Sequence, residues 1–264
     1  MKTLTFILSF TLVTAAAVGQ RRGAGFPPGT IVDLSYPFDS ETVYWPTAEA
    51  FHLEKDFEGV TGKGFYYSAY KYSAAEHGGT HLDAPVHFSQ GHHTVDQIPL
   101  EQLMGSGILV DVTKQCENNS DYQVTTGDFL AWEKKHGKMA TGSILLLRTG
   151  FGRFYPDRMR YLGTEGRGPE AVAKLHFPGL HPEAARWLTA NRSIKAIGLD
   201  TASIDYGQST LFESHRILFD KNIPAFENVA NLDRLPPKGF SVIALPMKIK
   251  GGSGAPLRIL AILA

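Results

Sequence analysis

One eleven-residue stretch, His77-Gly78-Gly79-Thr80-His81-Leu82-Asp83-Ala84-Pro85-Val86-His87, constrains the fold more than any other part of the chain. Its first two histidines stand four residues apart, a spacing that would share one helix face. The glycine pair between them argues against a helix, since each glycine costs about 1 kcal/mol relative to alanine there. A glycine-rich turn feeding a short strand is the conformation predicted. Strand side chains alternate, so His81 and Asp83 then point to one side, and the glycines let the backbone curl until His77 joins them. Two imidazoles and a carboxylate form a ligand set for a divalent metal, with a position left open for water. Water bound in this way has its pKa lowered from about 16 to about 7. His87 follows closely and is placed to shuttle protons. The pair His92-His93, between Gly91 and Thr94, reads as a solvated turn.

The rest of the chain supplies the scaffold. Thr30 to Leu34 reads as a first strand, and the aromatic stretch Phe65 to Tyr72 as another. Gly107 to Thr113, Ser143 to Thr149 and Ile194 to Leu199 are short apolar runs of the buried-strand kind. Thr126 is expected to cap a helix that runs to His136 with Phe129, Leu130 and Trp132 on one side, closed by Gly137. Pro182 opens a second helix to Asn191, with Ala185, Leu188 and Thr189 on one face. Thr210 to Lys221 is a third helical pattern, carrying Leu211, Ile217 and Leu218. Phe240 to Ile249 and Leu257 to Leu263 end the chain as strands joined by a tight turn over Gly251 to Pro256. Strands outnumber helices and mix with them. The fold class predicted is α/β, a single domain with a mixed, barrel-like β-sheet core and flanking helices.

Composition narrows the function. The 264 residues carry 26 basic and 26 acidic side chains, so no net charge draws the chain to nucleic acid or an anionic membrane surface. The single cysteine, Cys116, excludes an intramolecular disulfide framework and is expected to be a buried or idle thiol. Residues 1–19 read as a signal peptide: Lys2 is the positive end, Leu4 to Val18 the apolar stretch, and Ala17 and Gly19 the small residues before a cut at Gln20. The organisation expected is thus a leader over 1–19, a lead-in over 20–29 and a domain over 30–264, exported to the extracellular space or the periplasm. No other segment is long and apolar enough to span a bilayer. Two sequons begin at Asn118 and Asn191. The Gly251 to Pro256 loop lacks the pattern of a phosphate cradle, and no Gly-x-Ser-x-Gly elbow is present.

The stretch from His77 to His87 resembles the signature of the cyclase family of metal-dependent hydrolases, which includes bacterial-type kynurenine formamidase (arylformamidase) and isatin hydrolase. Asp33-Leu34-Ser35 and Tyr44-Trp45-Pro46 are similar to that family's opening strand and the aromatic loop over its substrate. Gly198-Leu199-Asp200-Thr201 with Ser203-Ile204-Asp205 resembles its central strand and turn. The segment His215 to Pro236, with Ile223-Pro224 and Glu227-Asn228, resembles its second metal-binding stretch. The resemblance covers most of residues 30–263.

The resemblance implies a swivelling β/β/α fold, assembled as a homo-oligomer (dimer or tetramer). It implies that His77, His81 and Asp83 bind a first metal, and that Asp83 bridges to a second metal held by His215 and Glu227. His87 would be the general acid/base and Trp45 would stack on an aromatic small-molecule substrate. One or two divalent ions, zinc or manganese, suit such donors. Asp200, Asp205 and Glu213 read as structural, holding backbone groups or the ligands behind the site. The activity implied is hydrolysis of an aryl formamide such as N-formylkynurenine by metal-bound hydroxide. The alternatives are a hydrolase of isatin-like cyclic amides and a catalytically silent metal- or ligand-binding relative, against which an intact His87 argues.

Overall fold

The structure is a computed structural model that describes residues 29–263. The expected signal peptide and nearly all of the lead-in lie outside the described residues. The strands are β1 (Thr30–Asp33), β2 (His52–Val60), β3 (Tyr66–Ser73), β4 (His81–Asp83), β5 (Met104–Asp111), β6 (Gln123–Val124), β7 (Ile144–Arg148), β8 (Gly179–Leu180), β9 (Ala196–Leu199), β10 (Ala225–Glu227), β11 (Lys238–Pro246) and β12 (Gly254–Leu263). The main sheet runs β1-β12-β11-β5-β7-β9-β10-β4, and β12 also pairs with β4. Seven strands therefore close into a ring, and β1 extends the edge of β12 beyond β4. The mixed, barrel-like sheet of a single α/β domain is thus observed.

Strands β5, β7, β9 and β10 are mutually parallel, which requires crossover connections. Helix α1 (Thr126–His136), helix α2 (Pro182–Asn191) and helix α3 (Glu213–Phe219) lie in those crossovers. They explain why Ile144 to Leu147 is an unbroken apolar run: both faces of the sheet are covered. Ile144 and Leu146 pack inside the ring with Leu82, Leu109, Phe226 and Val242. Leu145 and Leu147 pack outside it, against Phe129, Trp132 and Leu188 of the helices. Cys116 is buried and free, and burial first of all pushes its thiol up to about 12.

Several boundaries differ from those expected. Thr125, rather than Thr126, caps α1: its hydroxyl accepts from Asp128 N–H, and the Asp128 carboxylate accepts from Thr125 N–H. Thr125 has the extended backbone a cap needs, whereas Thr126 is already helical. Leu130 is half exposed, because the buried stripe of α1 is Phe129 and Trp132. Helix α3 starts at Glu213, since Phe212 takes a left-handed φ of 48° and leaves Leu211 outside the helix and exposed. Strands β2 and β10 were not anticipated. The first carries the charged run Glu54-Lys55-Asp56 on a ribbon buried on neither face, and the second is only three residues long. The expected turn over Gly251 to Pro256 is displaced towards the N-terminus, because β11 ends at Pro246 and β12 already begins at Gly254.

Strand β8 bears on the site from behind. A Cβ added at Gly179 would lie 2.2 Å from Tyr206 N and 2.4 Å from the carbonyl carbon of Asp205. Backbone cannot yield as a side-chain tip does, so Gly179→Ala is expected to cost about 1–3 kcal/mol. Urea unfolding should show the midpoint falling with an unchanged slope; an unchanged midpoint would mean that this contact imposes no constraint.

Candidate metal centre

The register of two short strands builds the centre. In the antiparallel pair β4–β10, Glu227 faces His81, Phe226 faces Leu82 and Ala225 faces Asp83. Leu82 and Phe226 turn into the ring. Alternation then puts His81, Asp83 and Glu227 together on the outer face. His215, on the one helix that follows β9, comes down over them. His77 arrives from the turn before β4, where Gly79 has a φ of 55° that favours glycine.

The donor atoms converge. Asp83 Oδ1 lies 2.7 Å from His77 Nδ1 and 3.0 Å from His81 Nε2. Asp83 Oδ2 lies 3.3 Å from His215 Nε2. Glu227 reaches His215 Nε2 at 3.1 Å and His81 Nε2 at 3.5 Å. All of these side chains are buried except His77, which is 23% exposed. The His87 ring stacks on that of His77 at 3.9 Å between centroids.

Two of the imidazoles are fixed through their far nitrogens. His81 Nδ1 donates to Gly79 O at 2.9 Å, and His215 Nδ1 donates to Asp205 Oδ2 at 2.6 Å. Each therefore turns Nε2 towards the two carboxylates. His81 Nε2 is buried without a hydrogen-bond partner, although both carboxylates flank it. An orphaned imidazole nitrogen among buried carboxylates suits a hard or borderline divalent cation, so the residues present fit a metal. Asp83 serves both groupings, one with His77 and His87 and one with His81 and Glu227.

The charges of these groups act strongly on one another. Burial opposes charge on His81 and His215, yet both are raised, His81 to about 9, because the carboxylates beside them outweigh burial. Burial would also raise the Asp83 carboxyl, but the surrounding imidazoles hold it well below the usual range. Glu227 is raised, by burial and then by Asp83. The site thus gathers protons wherever a cation does not balance the two carboxylates. His87 behaves differently: burial pushes it down to about 4, so it is neutral near pH 7.

The structure brings His77, His81, Asp83, His87, His215, Glu227 and Trp45 to one pocket. Asp205 stands behind His215, as the sequence suggested, and also accepts from the N–H groups of Ser214 and His215. Asp200 is structural as well, accepting from Thr149 N–H and Gly150 N–H. Glu213 is at the surface with Arg186. The His93 N–H donates to the Asn222 side chain, and neither His92 nor His93 lines the pocket. Sequence reasoning missed Phe88 and Phe212, which stack at 5.0 Å, and the hydrogen bond that Tyr161 donates to Asn228, a residue named there only within the family resemblance. Asn228 Nδ2 donates to the same Gly79 carbonyl that holds His81. An aromatic beside His87 was the available signal for Phe88; nothing local marked the others.

Residues 32–206 match the Cyclase family model. Isatin hydrolase of Roseibium aggregatum is 31% identical over 195 residues, 71% of this chain and 72% of that protein. Kynurenine formamidase of Bacillus cereus is 26% identical over 231 residues, 86% and 94% of the two chains. Among solved structures, isatin hydrolase A from Ralstonia solanacearum superposes with a TM-score of 0.80 at 30% identity, covering 89% of this chain and 92% of that one. The chain belongs to the cyclase family.

His81→Ala removes the orphaned nitrogen and one wall of both carboxylates. Elemental analysis after dialysis against zinc should show bound metal reduced well below that of the wild type. Unchanged metal content would sink the assignment of His81 as a ligand.

Proposed function

We propose that this cyclase-family chain is a metal-dependent amide hydrolase acting on carbon–nitrogen bonds other than peptide bonds. The observation that carries the reading is the cluster of two carboxylates and three imidazoles, all but His77 buried, on the floor of an aromatic pocket of about 300 Å³. His77, His81, Asp83, His215 and Glu227 would hold one or two divalent ions, zinc or manganese. A divalent ion bound there supplies a Lewis acid for a carbonyl oxygen and a water of lowered pKa.

The chain's own groups do the rest. Trp45, Phe88 and Phe212 wall the pocket and suit a flat aromatic substrate stacked or packed edge-on. His87, neutral at working pH, accepts the proton of water as its oxygen bonds to the carbonyl carbon. As the C–N bond breaks, the imidazolium returns that proton to the departing nitrogen. The same apolar walls keep competing water out.

The lining also bears on the substrate. Among the described residues, no Lys or Arg lines the pocket. The amino-acid tail of N-formylkynurenine would place its carboxylate against walls that offer no Lys or Arg to meet it. A compact, uncharged aryl amide such as isatin meets no such cost, and is the substrate favoured here over the aryl formamide that the sequence put first.

Assembly and export complete the proposal. The β2–β3 ribbon exposes Leu53, Phe57, Val60, Tyr66, Tyr67, Tyr70 and Tyr72. Two-stranded ribbons are marginal alone, and exposed apolar patches mark contacts, which supports a homo-oligomer, dimer or tetramer. The apolar leader supports export. Mass spectrometry of the exported protein should show an N-terminus at Gln20 and a native mass that is a multiple of the protomer. Residues 1–19 intact would overturn export, and a monomeric mass would overturn assembly.

Isatin and N-formylkynurenine should be offered to the mature protein loaded with metal and again after chelation. The expected result is isatin hydrolysis that chelation abolishes and metal restores. Formamide turnover alone would reverse the ranking, and no turnover of either with metal bound would favour the catalytically silent relative. His87→Ala should keep its metal and lose about 10²–10⁴-fold in kcat; full activity would remove its role.

A further inference from the structure

The loop between β11 and β12 wraps a carboxylate that the hydrolytic mechanism leaves unused. Glu76 Oε2 accepts from Ser253 N–H at 3.0 Å, from Gly254 N–H at 3.2 Å and from the Ser253 hydroxyl at 2.7 Å. The Ser253 oxygen lies 3.0 Å from His77 Nε2. A hydroxyl has a single proton to give. Because Ser253 gives its proton to the Glu76 carboxylate, its oxygen is left only as an acceptor. His77 must then carry a proton on Nε2, which leaves Nδ1, the nitrogen 2.7 Å from Asp83, to donate to that carboxylate or to give its lone pair to a metal.

The loop is shaped for this contact. A Cβ added at Gly254 would fall 2.5 Å from the His77 ring, so only glycine leaves the ring its place. A Cβ at Gly252 would fall 2.9 Å from Glu76 Oε1. Backbone N–H groups of a glycine-rich loop that converge on a carboxylate hold it in place. Of the three imidazoles His77, His81 and His215, His77 is the one that neither a backbone carbonyl nor Asp205 holds, and the hydroxyl–carboxylate pair stands in that place.

We propose that Ser253 and Glu76 are positioning residues that fix the tautomer and ring orientation of His77, so that Nδ1 faces the metal centre. The assignment rests on the metal-centre reading given above. Groups behind a metal ligand change affinity about 10–100-fold when removed, and Ser253→Ala should raise the zinc dissociation constant of the mature protein by that factor. Ser253→Thr, which keeps the hydroxyl, should return most of the affinity. Glu76→Gln should weaken zinc binding in the same direction.

Calorimetric titration with zinc alone measures these constants, and thermal melting of the metal-free variants checks that each is folded. Nitrogen-15 NMR of the zinc-loaded wild type reads the tautomer directly and needs no variant. It should place the His77 proton on Nε2. Unchanged zinc affinity in Ser253→Ala, an equal loss in Ser253→Thr, or a proton on Nδ1 would each overturn the proposal while the metal centre stands. Failure of the wild type to bind zinc or manganese would overturn the metal-centre reading and this proposal with it.

Discussion

Asp83 and Glu227 are carboxylates buried side by side on paired strands, and the structure around them answers the cost of that burial. Two like charges out of water repel, and each is expensive to desolvate unless opposite charge or hydrogen bonds meet it. The pair β4–β10 holds them at neighbouring positions on one face, so neither can swing away into solvent. Imidazoles arrive from the turn before β4, from β4 itself and from α3. Ile204 N–H adds a further donor to Glu227 at 2.7 Å. The imidazoles around Asp83 hold its carboxyl low, while burial and the charge of Asp83 push Glu227 up.

The closed sheet provides the rigidity this needs. Leu82 and Phe226, between the functional residues on their strands, are fully buried within the ring. Packing at that density transmits strain rather than absorbing it, so donor positions are set by the core beneath them. The covering loops set the rest. Phe212 adopts a left-handed backbone unusual for a bulky residue, at the point where it enters the pocket beside Phe88. A strained aromatic that lines a site is consistent with a wall positioned for a ligand rather than for the helix it precedes.

How far the sequence could be read followed from how local each determinant was. His81 and Asp83 were legible because strand alternation acts over two residues, and His77 because the glycines beside it permit the necessary bend. The buried strands β5, β7 and β9 were legible as apolar runs covered on both faces. His215 and Glu227 were found only through family resemblance: a helix histidine amid apolar neighbours and a glutamate on a three-residue strand carry no periodic signal. The roles of Phe212, Asn228 and Ser253 depend on loops folding back across the chain, where sequence distance says nothing about contact. Of the β2–β3 ribbon, β3 was legible as an aromatic stretch bounded by glycine, whereas β2 was not, since nothing on it alternates between core and solvent.

The closure of the sheet and the assembly of the centre are one event in space. Strand β12 completes the ring by pairing Gly254 with Asp83 and Pro256 with His81. The same few residues carry Ser253 to His77 and Gly254 beneath its ring. His81 is held by the turn of its own strand, His215 by Asp205 after β9, and His77 by the loop that closes the ring. Opening the β4–β12 seam would therefore release one imidazole and expose one carboxylate at once. A cation that binds only the closed arrangement stabilises it by mass action, so ligand affinity at this centre and stability of the sheet are linked quantities.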